Sequence, residues 1–140
     1  DRKKNGLEKA FCCINARARD FAKIGRLYLN NGNWNGKQII SQNWVEESTK
    51  VDTTNGGVVF YKYQWWLPTS LDNIRRENYN LKNPDKKKLE LSTDKDFMAE
   101  GILGQFIYVN PTKKLIIVRL GKNEGKADWW ATFTSIAKTY

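Results

Sequence analysis

The chain divides into stretches of helical and of strand periodicity. In "ARARDFAKIGRLYLNNG", Phe21, Ile24, Leu27 and Tyr28 recur every three or four residues, with Ala18, Ala22 and Gly25 between them. That spacing gathers apolar side chains on one face and predicts a helix over 16–30. Asn15 is the expected N-cap and Asn30-Asn31-Gly32 the expected stop, leaving Arg19 and Asp20 as surface or capping charges. "NGNWNGKQII" reads as a turn and a short extended piece. Ser41 then caps a second helix over 42–49, with Trp44 and Val45 facing inward and Glu46 and Glu47 outward. "TTNGG" is a turn signal.

The period then shortens. "VVFYKYQWWL" is rich in β-branched and aromatic residues and predicts a strand over 58–67. Residues 68–95 carry few apolar positions, two prolines and many charges, and read as a long polar loop or insertion with one turn of helix near 71–76. "FMA", "GQFIYVN" and "KLIIVRLG" are strands. "NPTKK", with Pro111 in the turn, joins the last two into an antiparallel hairpin. "ADWWATFTSIAKTY" closes the chain as a helix over 127–138, with Trp130, Phe133, Ile136 and Ala137 on its apolar stripe. The fold class is α+β: an antiparallel sheet flanked by helices. Within it "FMAEGILGQ" stands out, because a strand that only packs has no use for Gly101 and Gly104 beside a carboxylate at Glu100.

Composition sharpens this picture. Forty per cent hydrophobic and 13% aromatic residues supply a core, and the mean hydropathy of −0.68 reflects Lys and Asn rather than a lack of apolar residues. No apolar run approaches the ~18 residues that span a bilayer, so no transmembrane segment is expected. No signal-peptide pattern opens the chain, and "DRKKNGLEKAFCC", without an initiator Met, reads as the middle of something, either a processed chain or a piece of a longer protein. The net charge of +9 is spread out except at Arg75-Arg76 and Lys86-Lys87-Lys88. Both clusters lie in one polar segment, which favours a solvated surface over a nucleic-acid site. Cys12 and Cys13 are adjacent, a spacing that bridges only with strained backbone, so no disulfide is inferred. There is no histidine. That excludes Ser-His-Asp and Cys-His systems within the chain and nearly every zinc constellation, and no metal or cofactor is expected. Acid–base work would fall to Lys, Tyr, Asp or Glu. Trp65-Trp66 and Trp129-Trp130 are read as core residues, and Tyr61, Tyr63 and Tyr108 as sheet residues.

Three segments carry a resemblance. "NARARDFAKIGRLYLNNGNWNGKQIISQNWVEEST", "YKYQWWL" and "FMAEGILGQFIYVNPTKKLIIVRLG", in this order and spacing, resemble the C-terminal part of the serine β-lactamase and penicillin-binding-protein superfamily. The likeness is to class C β-lactamase-related hydrolases and esterases in particular, covers almost the whole chain, and is weakest over 68–95. It implies the C-terminal portion of the β-lactamase/transpeptidase-like fold. Residues 1–140 are then either a single domain or a C-terminal fragment of a larger hydrolase domain.

In that superfamily an S-x-x-K serine is acylated, a Y-x-N or S-x-N element assists, and a K-T-G-type strand closes the site. The resemblance lays the third element on Ala99-Glu100-Gly101. The glycine matches; Lys and Thr do not, which favours an esterase or amidase relative, or a degenerate site, over a β-lactamase or peptidase. It also implies an oxyanion-binding backbone N–H at Ile102 and a substrate wall of Ala99, Glu100, Gly101, Gly104 and Gln105. The glycines would then let the strand approach a substrate carbonyl. Gln105 either bonds a neighbouring loop or faces the cleft, and Glu100 is either a substrate contact or a surface charge.

The first two elements are missing. "NYNLKN" has the wrong spacing for Y-x-N. S-x-x-K occurs at Ser92–Lys95, in a polar loop that would not bury the lysine, and at Ser135–Lys138, in the terminal helix at the wrong end of the fold. The expected nucleophile therefore lies outside this chain. The expected partners are the parent enzyme's small-molecule or peptide substrate and an upstream segment, or self-association, covering an open sheet edge. By resemblance the compartment is the cell envelope or periplasm. The competing reading is a non-catalytic binding module for a polyanion or cell-wall glycan, using the basic loop and exposed Trp residues.

Overall fold

Helical spacing of Phe21, Tyr28 and Leu29 around Gly25 gives the first element of the computed structural model, α1 (Ala18–Leu29). The structure describes residues 14–50, 61–67 and 95–140. The helix starts two residues later than Asn15 predicts. Its N-cap is Arg17, whose backbone N–H donates to Asp20 Oδ2 at 3.2 Å. A carboxylate in the first turn satisfies an orphan donor and meets the positive end of the helix dipole, so Asp20 sets the start. At the other end Asn31 N–H donates to Tyr28 O at 3.0 Å and Gly32 N–H to Leu27 O at 2.8 Å. Asn31 and Gly32 have φ of 52° and 81°. This left-handed exit is the stop that "NNG" predicts.

A small hairpin, β1 (Asn33–Trp34) and β2 (Lys37–Gln38), leads into α2 (Gln42–Thr49). Ser41 Oγ caps α2 by accepting from Trp44 N–H at 3.1 Å. Val45 is buried as expected, but Trp44 is 41% exposed. The helix is only eight residues long, and its inward face is taken by Val45 and Ser48.

The strand expected over 58–67 is, in its described part, a hairpin: β3 (Tyr61–Lys62) and β4 (Trp65–Trp66) joined by Tyr63 and Gln64. Tyr63 is thus a turn residue rather than a sheet residue. β5 (Phe97–Gly101), β6 (Gln105–Asn110) and β7 (Leu115–Arg119) complete an antiparallel sheet of order β3-β4-β5-β6-β7. The chain ends with α3 (Trp129–Lys138), whose N-cap Asp128 accepts from Ala131 N–H at 3.0 Å.

Strand alternation separates two apolar faces. Phe97, Val109, Trp65 and Leu67 form one, with Tyr28 and Leu29 of α1 against them. Met98, Phe106 and Tyr108 form the other, packed by Trp130, Phe133 and Ala137 of α3. The sheet therefore lies between α1 and α3. Gly25 makes the first contact possible: a Cβ there would stand 2.9 Å from Ile116 Cγ2 and 3.2 Å from Ile107 Cγ2. On α3 the stripe is Trp130, Phe133 and Ala137, while Ile136 is 38% exposed. At the far end of β6 a polar group is buried with the core: Tyr108 OH donates to Asp96 Oδ2 at 2.5 Å and accepts from Asn110 Nδ2 at 3.3 Å.

Cys12, Cys13, "TTNGG", Arg75, Arg76, "NYNLKN", Lys86–Lys88 and Ser92 lie outside the described residues, as does nearly all of the 68–95 segment. Among the described residues no helix is long and apolar enough to cross a membrane.

Candidate functional site

The sheet end between β5 and β6 collects the residues the sequence singles out. β5 and β6 are in register through Gly101↔Gln105, which leaves Ile102, Leu103 and Gly104 as a three-residue turn. Leu103 and Gly104 have φ of 65° and 74°. Gly104 is therefore needed by the turn itself. A Cβ at 104 would also meet Asn123 O at 2.9 Å and Glu124 Cα at 3.0 Å. That is a structural reason for the glycine, independent of the substrate approach that the sequence suggests. Gly101 is less constrained, since a Cβ there would meet Gln105 Cβ at 3.3 Å.

Two side chains clamp this turn from below. Arg119 donates from Nη1 to Gly104 O and from Nη2 to Asn123 O at 3.2 Å, with its guanidinium 4.0 Å above the Trp129 ring. Gln105 donates from Nε2 to Gly121 O and accepts from Gly121 N–H at Oε1, 3.1 Å away. Of its two sequence readings, Gln105 takes the neighbouring-loop role. Trp129 Nε1 donates to Glu124 O at 2.5 Å, fixing the 121–125 loop against α3. Sequence pattern alone singles out neither Arg119 nor Gly121. The β6–β7 register carries the signal: Arg119 opposes Phe106, so a long side chain there reaches Gly104 two residues on.

The strand pleat sends Glu100 and Ala99 to opposite faces. Glu100 is exposed on the α3 side and lines a pocket of about 280 Å³ with Phe106, Glu124, Asp128, Trp129 and Trp130. Ala99 lies on the α1 side with Ile107. Ile102 is 83% exposed at the tip of the turn. The candidate residues thus divide: Gly101 and Ile102 lie at the sheet end, Glu100 lines the pocket, and Gln105 holds the 121–125 loop. Ser135 and Lys138 are exposed on α3 and do not line this pocket. Among the described residues there is no group of three His, Cys, Asp or Glu side chains able to hold a metal.

Helices packed on an antiparallel sheet make the fold α+β, and the chain shares it with a hydrolase of the β-lactamase-like fold. Eighteen chains of solved structures match. One, from Bacillus anthracis and named "Putative 6-aminohexanoate-dimer hydrolase", is 27% identical with a TM-score of 0.57. The match covers 87% of this chain and 27% of that one, so the chain spans about a quarter of its neighbour's length. No family model matches the chain. No curated protein matches it either.

Proposed function

We propose that this chain is the C-terminal segment of a serine hydrolase that works through an acyl-enzyme on an ester, amide or β-lactam, and that its nucleophile lies in another part of the same protein. The reading is carried by one observation: the segment that resembles the third catalytic element forms a strand end and a clamped turn, on a fold shared with a hydrolase of which it spans only a quarter.

In this reading the end of β5 lines the acyl site at Gly101, with Ala99 and Glu100 on its two faces, and the Ile102 N–H donates to the carbonyl oxygen as it becomes an oxyanion. An external serine Oγ adds to the carbonyl carbon as a base outside this chain takes its proton, and the negative charge collects on the carbonyl oxygen. Collapse expels the alcohol, amine or ring nitrogen with that proton, and water then hydrolyses the acyl-serine. The donor is useful only if it is held still, because a fixed dipole stabilises charge without reorganising. Arg119 on Gly104 and Gln105 on Gly121 supply that rigidity. Ala99 stands where relatives carry a lysine, so a substrate carboxylate has no cation to meet at that position. Esters and amides are favoured over β-lactams for that reason.

The test is Ile102→Pro in the protein extended by its upstream coding sequence, assayed on p-nitrophenyl acetate. Removing the N–H should lower kcat by about a hundredfold or more while circular dichroism stays native. An unchanged kcat in a folded variant would remove Ile102 from the site.

A further inference from the structure

The β3–β4 hairpin turns on Tyr63 and Gln64, whose φ angles are 48° and 73°. Two consecutive left-handed residues make a turn that Asn-Gly or Gly-Gly normally fills, because a side chain strains that backbone. Here both residues carry long side chains. Three contacts impose the shape. The Tyr63 ring lies 4.6 Å from that of Trp44, the Tyr61 hydroxyl donates to Gln64 Oε1, and Lys62 Nζ meets Glu47 Oε1 of α2 at 2.5 Å. Yet the strain buries little: Tyr63 stays 52% exposed and Trp44 41%. Strain maintained at a surface without burial is a pointer to function.

The register locates the turn. Trp66 opposes Met98 and β4 runs antiparallel to β5, so the Tyr63-Gln64 turn, which precedes β4, lies toward the Gly101 end of β5. The Tyr63-Gln64 turn and the Ile102–Gly104 turn therefore share one end of the sheet.

We propose that Tyr63 and Gln64 are specificity-determining residues of the acyl-transfer site, forming a lip that receives the acyl chain beyond the scissile carbonyl. The inference rests on the function proposed above. The Tyr63 and Trp44 rings offer an apolar face, and the charges of Lys62 and Glu47 are paired with each other beside it. With Oε1 engaged by Tyr61, Gln64 has its amide N–H groups as donors. The matching substrate is an ester or amide with an uncharged, apolar acyl chain of several carbons.

The test compares p-nitrophenyl hexanoate with p-nitrophenyl acetate, using the upstream-extended protein and its Tyr63→Ala, Tyr63→Phe and Gln64→Gly variants. Tyr63→Ala should lower the hexanoate-to-acetate ratio of kcat/KM by about tenfold, the scale of one lost apolar contact in a binding pocket, with the change in KM. Tyr63→Phe should restore the ratio, since the ring carries the effect. Gln64→Gly should raise Tm by relieving the turn while lowering the same ratio. An unchanged ratio in active Tyr63→Ala, or a lower Tm in Gln64→Gly, would overturn the lip and leave the acyl-transfer site standing. A wild-type protein that cleaves neither ester would overturn that site, and the lip with it.

Discussion

Gln105 holds Gly121 by both of its backbone groups: its amide nitrogen donates to Gly121 O and its amide oxygen accepts from Gly121 N–H. A side chain in that pose stands in for a missing strand residue and locks the 121–125 loop to the β5–β6 turn. Gln105→Glu removes the donor and sets a carboxylate against a carbonyl. We expect a loss of about 1–3 kcal/mol, read by urea denaturation, and a smaller loss for Gln105→Met, which keeps the length without the opposed charges.

Arg119 does the equivalent work on Gly104. Arg119→Lys keeps the charge but loses the planar fork that reaches two carbonyls and stacks on Trp129. The expected cost is about 1–2 kcal/mol. Amide hydrogen exchange at Leu103 and Gly104 should quicken while exchange in the middle of β6 is unchanged.

Gly25 sets the distance between α1 and the sheet. Alanine there gains helix propensity of about 1 kcal/mol but crowds Ile116 Cγ2 at 2.9 Å. Gly25→Ala should therefore be near neutral in thermal unfolding. Gly25→Val adds two methyls to a filled space and should cost about 1–3 kcal/mol.

Asp20 gives α1 a pH dependence. Its carboxyl is held below the usual value of 3.8 by the hydrogen bond from Lys23, then by the Arg17 N–H and the Lys23 charge. A lowered folded pKa stabilises at pH above the unfolded value, and that stability is lost as pH falls through the folded one. Tm should drop on acidification below about pH 4, and Asp20→Asn should show a shallower drop there with a lower Tm at neutral pH.

Much of this architecture was legible in the sequence wherever local chemistry agreed with the fold. Ser41 set α2 to the residue, "NNG" ended α1, and the alternation in "GQFIYVN" and "KLIIVRLG" set the hairpin. The misses share a cause. Nothing in Tyr-Gln prefers left-handed backbone, so "YKYQWW" reads as one strand; the stacking of Trp44 and the Tyr61–Gln64 hydrogen bond, both tertiary, fold it into a hairpin. The glycines of "AEGILGQ" stand out in the sequence, but Gly104 serves a turn whose crowding comes from residues 119 to 124. Short-range pattern cannot price contacts made 15 or more residues away. Two exposed residues, Trp44 and Ile136, were placed inward because helical spacing gives a stripe without saying how wide it is.

The central claim is that this chain forms one wall of an acyl-transfer site whose nucleophile it does not contain. The most direct measurement is intact-protein mass spectrometry after treatment with a fluorophosphonate, which phosphonylates an activated serine and releases fluoride. The 140-residue chain should gain no adduct, and the protein extended by its upstream coding sequence should gain one, on a serine outside these residues. An adduct on Ser92 or Ser135 of the isolated chain, or no adduct on the extended protein, would contradict the account.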